Sequence, residues 1–195
     1  MVISIVAAIV QGAWLLAEWR GGFITIENPF HAANVEDPPQ DLDRHSSTVW
    51  DAANALELVG LVLGFLGVAR IDTPGPFLGL VGLALLLTGI ALRWTAIRTL
   101  GRLFTGTVKI QRNHELVRRG VYRHVRHPSY TGAIIAHAGL GLAFGSWVSL
   151  ALSTLPFFVA ASYRIHIEER ALREAFGEKY TSYSASSWRL IPFVY

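Results

Sequence analysis

Two long apolar runs constrain this chain more than anything else in it: LELVGLVLGFLGVA at 56–69 and PFLGLVGLALLLTGIAL at 76–92. Neither alternates polar with apolar residues, so neither reads as a half-buried strand. About 20 apolar residues in a helix cross the hydrocarbon core of a bilayer. In lipid a helix also satisfies its own backbone hydrogen bonds, which an open strand does not. Extended to their polar borders, the runs predict helices from about Ala52 to Ile71 and from Pro76 to Leu100. The same reasoning predicts helices from about Val2 to Trp19, Tyr130 to Phe144 and Trp147 to Phe176. The first three are long enough to cross. The fourth has only about 15 residues before Gly145-Ser146 and forms a hairpin with the fifth. The expectation is an all-α integral membrane protein of about five transmembrane helices, the last two as a helical hairpin.

Charge supports this and orients it. Only 16% of residues are charged, against roughly 25% in soluble domains. Eight Lys/Arg fall between Arg98 and Arg126, whereas 21–51 is mostly acidic and broken by Pro29, Pro38 and Pro39, the pattern of a polar loop. With the N-terminus outside, fifteen Lys/Arg lie on the inner side, Arg70 alone lies outside and Arg93 sits within the third helix. Lys/Arg bias therefore places the basic loop and the C-terminus in the cytoplasm. Topology accounts for the basic loop, so no nucleic-acid partner is expected. The first segment lacks a basic n-region and a small-residue cleavage site and reads as a retained helix. The absence of Cys excludes disulfides, thiolate metal sites and Cys nucleophiles. No Walker A, GxGxxG, GxSxG or HExxH pattern is present.

Three polar clusters remain. In RHPSYTG (126–132), Pro128 biases His127 away from helix and can start the fourth helix near Ser129-Tyr130. Free N–H groups and a positive dipole end then face the loop, a seat for a carboxylate or for the acceptor atoms of a nucleotide-like ligand. In HELVRRGVY (114–122), His114 can donate or accept, Leu116 and Val117 can line a slot for a flat ring, Gly120 permits a tight turn and Tyr122 offers a ring and a hydroxyl. In RIHIEE (164–169), Arg164 and Glu168 share one helix face, and Glu169 with Arg173 repeats the spacing beside it. Each cluster alone also fits a plain role: headgroup contacts, a surface-docking turn, or solvated ion pairs contributing roughly 0–1 kcal/mol. Arg164, however, follows the apolar run LALSTLPFFVAASY, and a charge at the edge of hydrocarbon is a functional candidate. Inside the spans, Gln11, Glu18, Glu57, Arg93 and His137 are polar. Glu57 and Arg93 are expected to pair between the second and third helices, and His137 to hydrogen-bond a neighbouring helix. The glycines of VGLVLGFLG and LGLVGLALLLTG are spaced for helix packing.

HELV (114–117), GVY (120–122), RHPSYTG (126–132), Arg164 with Glu168-Glu169, the run Leu172, Phe176, Gly177, Tyr180 and Tyr183, and LIP (190–192) together resemble the isoprenylcysteine carboxyl methyltransferase family. The likeness covers about Arg93 to Pro192, roughly half the chain, and suggests the shorter, prokaryotic-type form in a cell inner membrane. It implies S-adenosyl-L-methionine as cofactor, in a cytoplasmic pocket. His114, Glu115, Leu116, Val117, Tyr122, His127, Pro128, Ser129, Tyr130 and Glu168 would bind the cofactor. Arg164 would hold the substrate carboxylate, and Arg164 and Glu168 would be the catalytic pair. Thr107 stands where the family often has Gln. The resemblance divides the chain into transmembrane helices at 1–100 and a cofactor-binding region at 101–195. It implies methyl-ester formation on a lipophilic, isoprenylcysteine-like acceptor, small molecule or prenylated protein, with membrane lipid around it. Phospholipid N-methylation and thiol S-methylation are the alternatives, followed by an NADPH-dependent membrane reductase and a non-catalytic lipid-binding protein.

Overall fold

The structure, a computed structural model, describes residues 1–26, 46–72, 76–104 and 114–192. Among these, regular structure is helical: α1 (Val2–Ile26), α2 (Ser46–Phe65), α3 (Phe77–Leu100), α4 (Pro128–Ala143), α5 (Trp147–Phe176) and α6 (Glu178–Ala185). Short 3-10 turns lie at Gly101–Leu103 and Gly120–Arg123. In the described residues α2, α3 and α5 are long and apolar enough to cross a membrane, and Val2–Glu18 is a shorter apolar helix. The fourth helix has 16 residues, about 24 Å at 1.5 Å per residue, short of the ~30 Å core. Leu58, Val62, Leu66, Leu155 and Val159 are exposed, as lipid-facing side chains are.

Several boundaries differ from the sequence expectation. α1 continues through Gly21-Gly22 to Ile26, where a polar loop is expected from 21. The remainder of that loop, 27–45, lies outside the described residues. α2 is shifted upstream. It starts at Ser46 and ends at Phe65, six residues before the expected Ile71. The end is a Schellman motif: Val68 N donates to the Leu63 carbonyl at 2.9 Å and Gly67 N to that of Gly64 at 3.0 Å. Gly67 takes the left-handed conformation (φ 82°) that this motif requires. α5 runs from Trp147 to Phe176 as expected. The tail beyond it holds α6, a polar helix with no apolar run to announce it.

α3 and α4 pack backbone against backbone. A Cβ placed on Gly82 would lie 2.4 Å from Ala143 N, on Gly89 2.4 Å from Ala136 N, on Gly132 2.6 Å from Arg93 N, and on Gly139 2.3 Å from Leu86 N. Glycines seven residues apart on each helix therefore form a seam that only hydrogen atoms fit. Small residues at helix contacts let backbones approach where lipid offers no hydrophobic drive. α2 pairs with α5: Ser149 Oγ donates to the Gly60 carbonyl at 2.8 Å, and a Cβ on Gly60 would meet Leu152 Cβ at 2.7 Å. The turn after α2 is pinned to the α4–α5 turn by Ile71 N to Gly145 O (2.9 Å) and Trp147 N to Ala69 O (3.0 Å).

The buried charges choose partners other than those expected. Arg93 pairs with Glu18 of α1, not with Glu57, through contacts from Nε to Oε1 and from Nη2 to Oε2 (2.8 Å for the latter). Glu57 instead meets His137 at 2.6 Å, which gives His137 the helix-to-helix hydrogen bond expected of it. The His137 ring lies flat on Phe157, with centroids 3.5 Å apart. A helix sequence shows that a polar group needs a partner; helix rotation decides which one it meets.

Candidate active site

The loop before α4 and the chain after α5 build the site together. His127 precedes the helix and Pro128 occupies its first turn, so the Tyr130 and Thr131 N–H groups both close on the His127 carbonyl at 3.1 Å. Residues 184–190 run alongside this loop. Arg126 N donates to Trp188 O (2.8 Å), His127 N to Arg189 O (3.1 Å), and Trp188 N to His124 O (2.8 Å). The Arg126 guanidinium donates to the carbonyls of Ser184 (2.8 Å) and Ser187.

Glu169 is the buried centre of this junction. Its side chain is 3% exposed. Its carboxylate receives Arg126 Nε at 3.1 Å, Arg189 Nη2 at 3.0 Å, Arg173 Nη2 at 3.1 Å and stands 3.3 Å from His127 Nε2. Such a charge is tolerated in the interior because it is paired on several sides. The sequence offered Glu169 as a partner for Arg173, or as a base for an amine or thiol acceptor. On a helix, adjacent residues point about 100° apart, and nothing in EE shows which faces inward.

Glu168 faces the other way, toward residues the sequence singled out. Its Oε2 is 3.7 Å from His127 Nδ1, too far for a hydrogen bond, and is buried without a partner. The Glu168 charge acts on His114, Tyr122 and Tyr130 alike. The charges of Arg164 and Arg93 also bear on the Tyr130 hydroxyl. His114 Nδ1 is a second buried atom without a partner, and its ring lies 5.7 Å from that of Phe176. Burial lowers the pKa of His114, against an opposing pull from Glu168. Tyr122 is buried, and its phenol is pushed far above the ordinary range by burial and then by Glu168. Gly120 opens the turn before it with φ 57°. Tyr183 Oη donates to the Tyr122 carbonyl at 2.6 Å, while Arg118 lies over the Tyr183 ring at 5.4 Å and donates to the Lys179 carbonyl. Ser129 is held by Arg93 Nη1 at 3.0 Å. The Tyr130 ring is 5.9 Å from His127 and 6.4 Å from Trp50. Leu116 and Val117 are half-buried and Glu115 is exposed. Thr107 lies outside the described residues. Sequence reasoning placed Arg126 in the RHPSYTG cluster without its link to Glu169, and missed Arg189 and α6; the LIP and YxxY runs were the signal for that arm.

Residues 81–174 match the family model for isoprenylcysteine carboxyl methyltransferases. The match covers just under half of the chain. The chain is 37% identical over 115 residues to protein-S-isoprenylcysteine O-methyltransferase B of Arabidopsis thaliana, covering 58% of each chain. It is 37% identical over 114 residues to the Schizosaccharomyces pombe protein-S-isoprenylcysteine O-methyltransferase, covering 57% of this chain and 48% of that one. The chain thus spans about half to three fifths of the length of these relatives. They are eukaryotic and lend no support to a prokaryotic cell membrane as its location. A solved structure of the eukaryotic intramembrane Ras methyltransferase shares the fold, with a TM-score of 0.64 over 95% of this chain and 67% of that one at 24% identity.

Proposed function

We propose that this protein belongs to the isoprenylcysteine carboxyl methyltransferase family and transfers a methyl group from S-adenosyl-L-methionine to the carboxylate of a lipophilic, isoprenylcysteine-like acceptor. The observation that carries the reading is the unpartnered Glu168 Oε2, facing the groups of His114, Tyr122, His127 and Tyr130. Buried polar atoms need hydrogen-bond partners, and a bound ligand can supply one here. Glu168 accepts from donors such as an amino group or ribose hydroxyls, and His114 Nδ1 supplies a further contact. The residues present therefore fit this cofactor. When bound, it supplies an electrophilic methyl on a positively charged sulfur. Tyr122 and Tyr130 offer ring faces to that charge.

The chain has the remaining work of holding the acceptor in line and keeping water out. Arg164, on the same stretch of α5, fixes the acceptor carboxylate through a charge-assisted fork. No general base is required, because the acid is already ionised at neutral pH. The apolar part of the acceptor lies toward lipid past Trp50 and Phe157, whose rings are 5.4 Å apart. The positive-inside bias places this pocket on the cytoplasmic side of a five-helix membrane bundle, with the N-terminus outside.

Calorimetric titration of the detergent-purified protein with S-adenosylhomocysteine tests this. Micromolar binding that Glu168→Gln weakens at least tenfold and Arg164→Ala spares supports the division of roles. A folded protein that binds no S-adenosylhomocysteine but binds NADPH points to a reductase and overturns it.

A further inference from the structure

α1 lies outside the residues matched by the family model, yet it reaches the candidate site. Glu18 engages one edge of the Arg93 guanidinium with both carboxylate oxygens, and Trp14 Nε1 donates to Glu18 Oε1 at 2.8 Å. The remaining nitrogen of Arg93, Nη1, donates to Ser129 Oγ at 3.0 Å and its carbonyl at 3.4 Å, in the first turn of α4. Arg93 is 9% exposed and Ser129 7%. The Arg93 backbone also abuts Gly132, so this residue sets the position of α4 by both contact and charge. A buried guanidinium that lost Glu18 would no longer be held in this position, because leaving it unpaired is costly.

We infer that Glu18 is a positioning residue: it holds Arg93 on Ser129 and thereby fixes the first turn of α4, which carries Ser129 and Tyr130 of the candidate site. The inference rests on the cofactor reading above, with Arg93 acting through Ser129 rather than on the reacting atoms. A planar fork serves both partners at once, a task that a lysine would not perform.

The test is a double-mutant cycle of Glu18→Gln and Arg93→Met, with two readouts. The first is affinity for S-adenosylhomocysteine. Each single variant should bind about tenfold more weakly, and the double variant no more weakly than either. Glu57→Gln, which removes the carboxylate that meets His137, should lose thermal stability while binding within about twofold of wild type. The second readout is amide hydrogen exchange in ligand-free protein. Glu18→Gln should speed exchange at Tyr130 and Thr131 and leave α4 beyond Ala136 unchanged. Wild-type affinity in Glu18→Gln, additive losses in the double variant, or unchanged exchange at Tyr130 and Thr131 would each overturn the inference. If wild-type protein binds no S-adenosylhomocysteine, the cofactor reading fails and the exchange readout alone decides the role of Glu18.

Discussion

One methyl group, placed on two different glycines, should have opposite effects. At Gly139 the new Cβ of an alanine would stand 2.3 Å from Leu86 N and 2.6 Å from Gly82 O, where ordinary contact begins at 3.4 Å. The shortfall is about 1 Å, and the obstructing atoms are backbone, so no side chain can swing aside. α3 and α4 must separate by about that amount, which strips dispersion contacts along the seam. Overpacking costs about 1–3 kcal/mol, at the upper end against backbone; the better helix propensity of alanine returns at most about 1 kcal/mol. The net loss is about 2 kcal/mol, a fall of roughly 4–8 °C in unfolding temperature for a chain of this size. At Gly12 on α1, a Cβ meets nothing within 4 Å. Gly12→Ala should leave the unfolding temperature unchanged or raise it slightly. Both variants are measured by tryptophan fluorescence in one detergent at one scan rate. Gly139→Ala unfolding within about 1 °C of wild type would refute the packing argument.

Glu169→Gln leaves Arg126, which is 10% exposed, facing a neutral group; the loss should approach about 3 kcal/mol, whereas Arg173→Ala, removing a partner that is 52% exposed, should cost under about 1 kcal/mol; thermal unfolding separates the two. Tyr183→Phe removes the donor to the Tyr122 carbonyl. It should cost about 1 kcal/mol and weaken S-adenosylhomocysteine binding severalfold, while the pH response of the protein below 10 stays unchanged because burial holds the Tyr183 phenol up at about 12. His114 has a lowered pKa in the folded state, so the unfolded chain takes up the proton first as pH falls below the ordinary value of 6.5. Stability is full above that value and declines below it until the folded pKa is reached; His114→Gln should flatten this part of the unfolding-temperature profile between pH 7 and 5.

The parts of the fold that were legible in the sequence are those where composition alone decides. α3 and α5 follow apolar runs with sharp borders, and Pro128 set the start of α4 within two residues. The glycine spacing foretold close packing, and the seam obeys it. Partner choice was not legible. Glu18, Glu57, Arg93 and His137 each announce a need, but pairing Glu18 with Arg93 rather than Glu57 depends on how three helices are rotated. The site divides the same way. HELV, GVY and RHPSY are local motifs and could be read from the chain. The role of Glu169 is made by Arg126 and Arg189, far away in sequence, and α6 has no apolar period for a pattern to catch.

The zipper between 124–127 and 184–190 joins segments 61 positions apart at the contact of Arg126 with Ser187. Between them lie the two helices of the hairpin. During synthesis at roughly 5–20 residues per second, the loop that begins α4 waits several seconds for the strand of chain that will close it. Until then Arg126 lacks the serine carbonyls that it binds. The junction of this loop with 184–190 is therefore a late product of synthesis, closed only after both helices of the hairpin have been made.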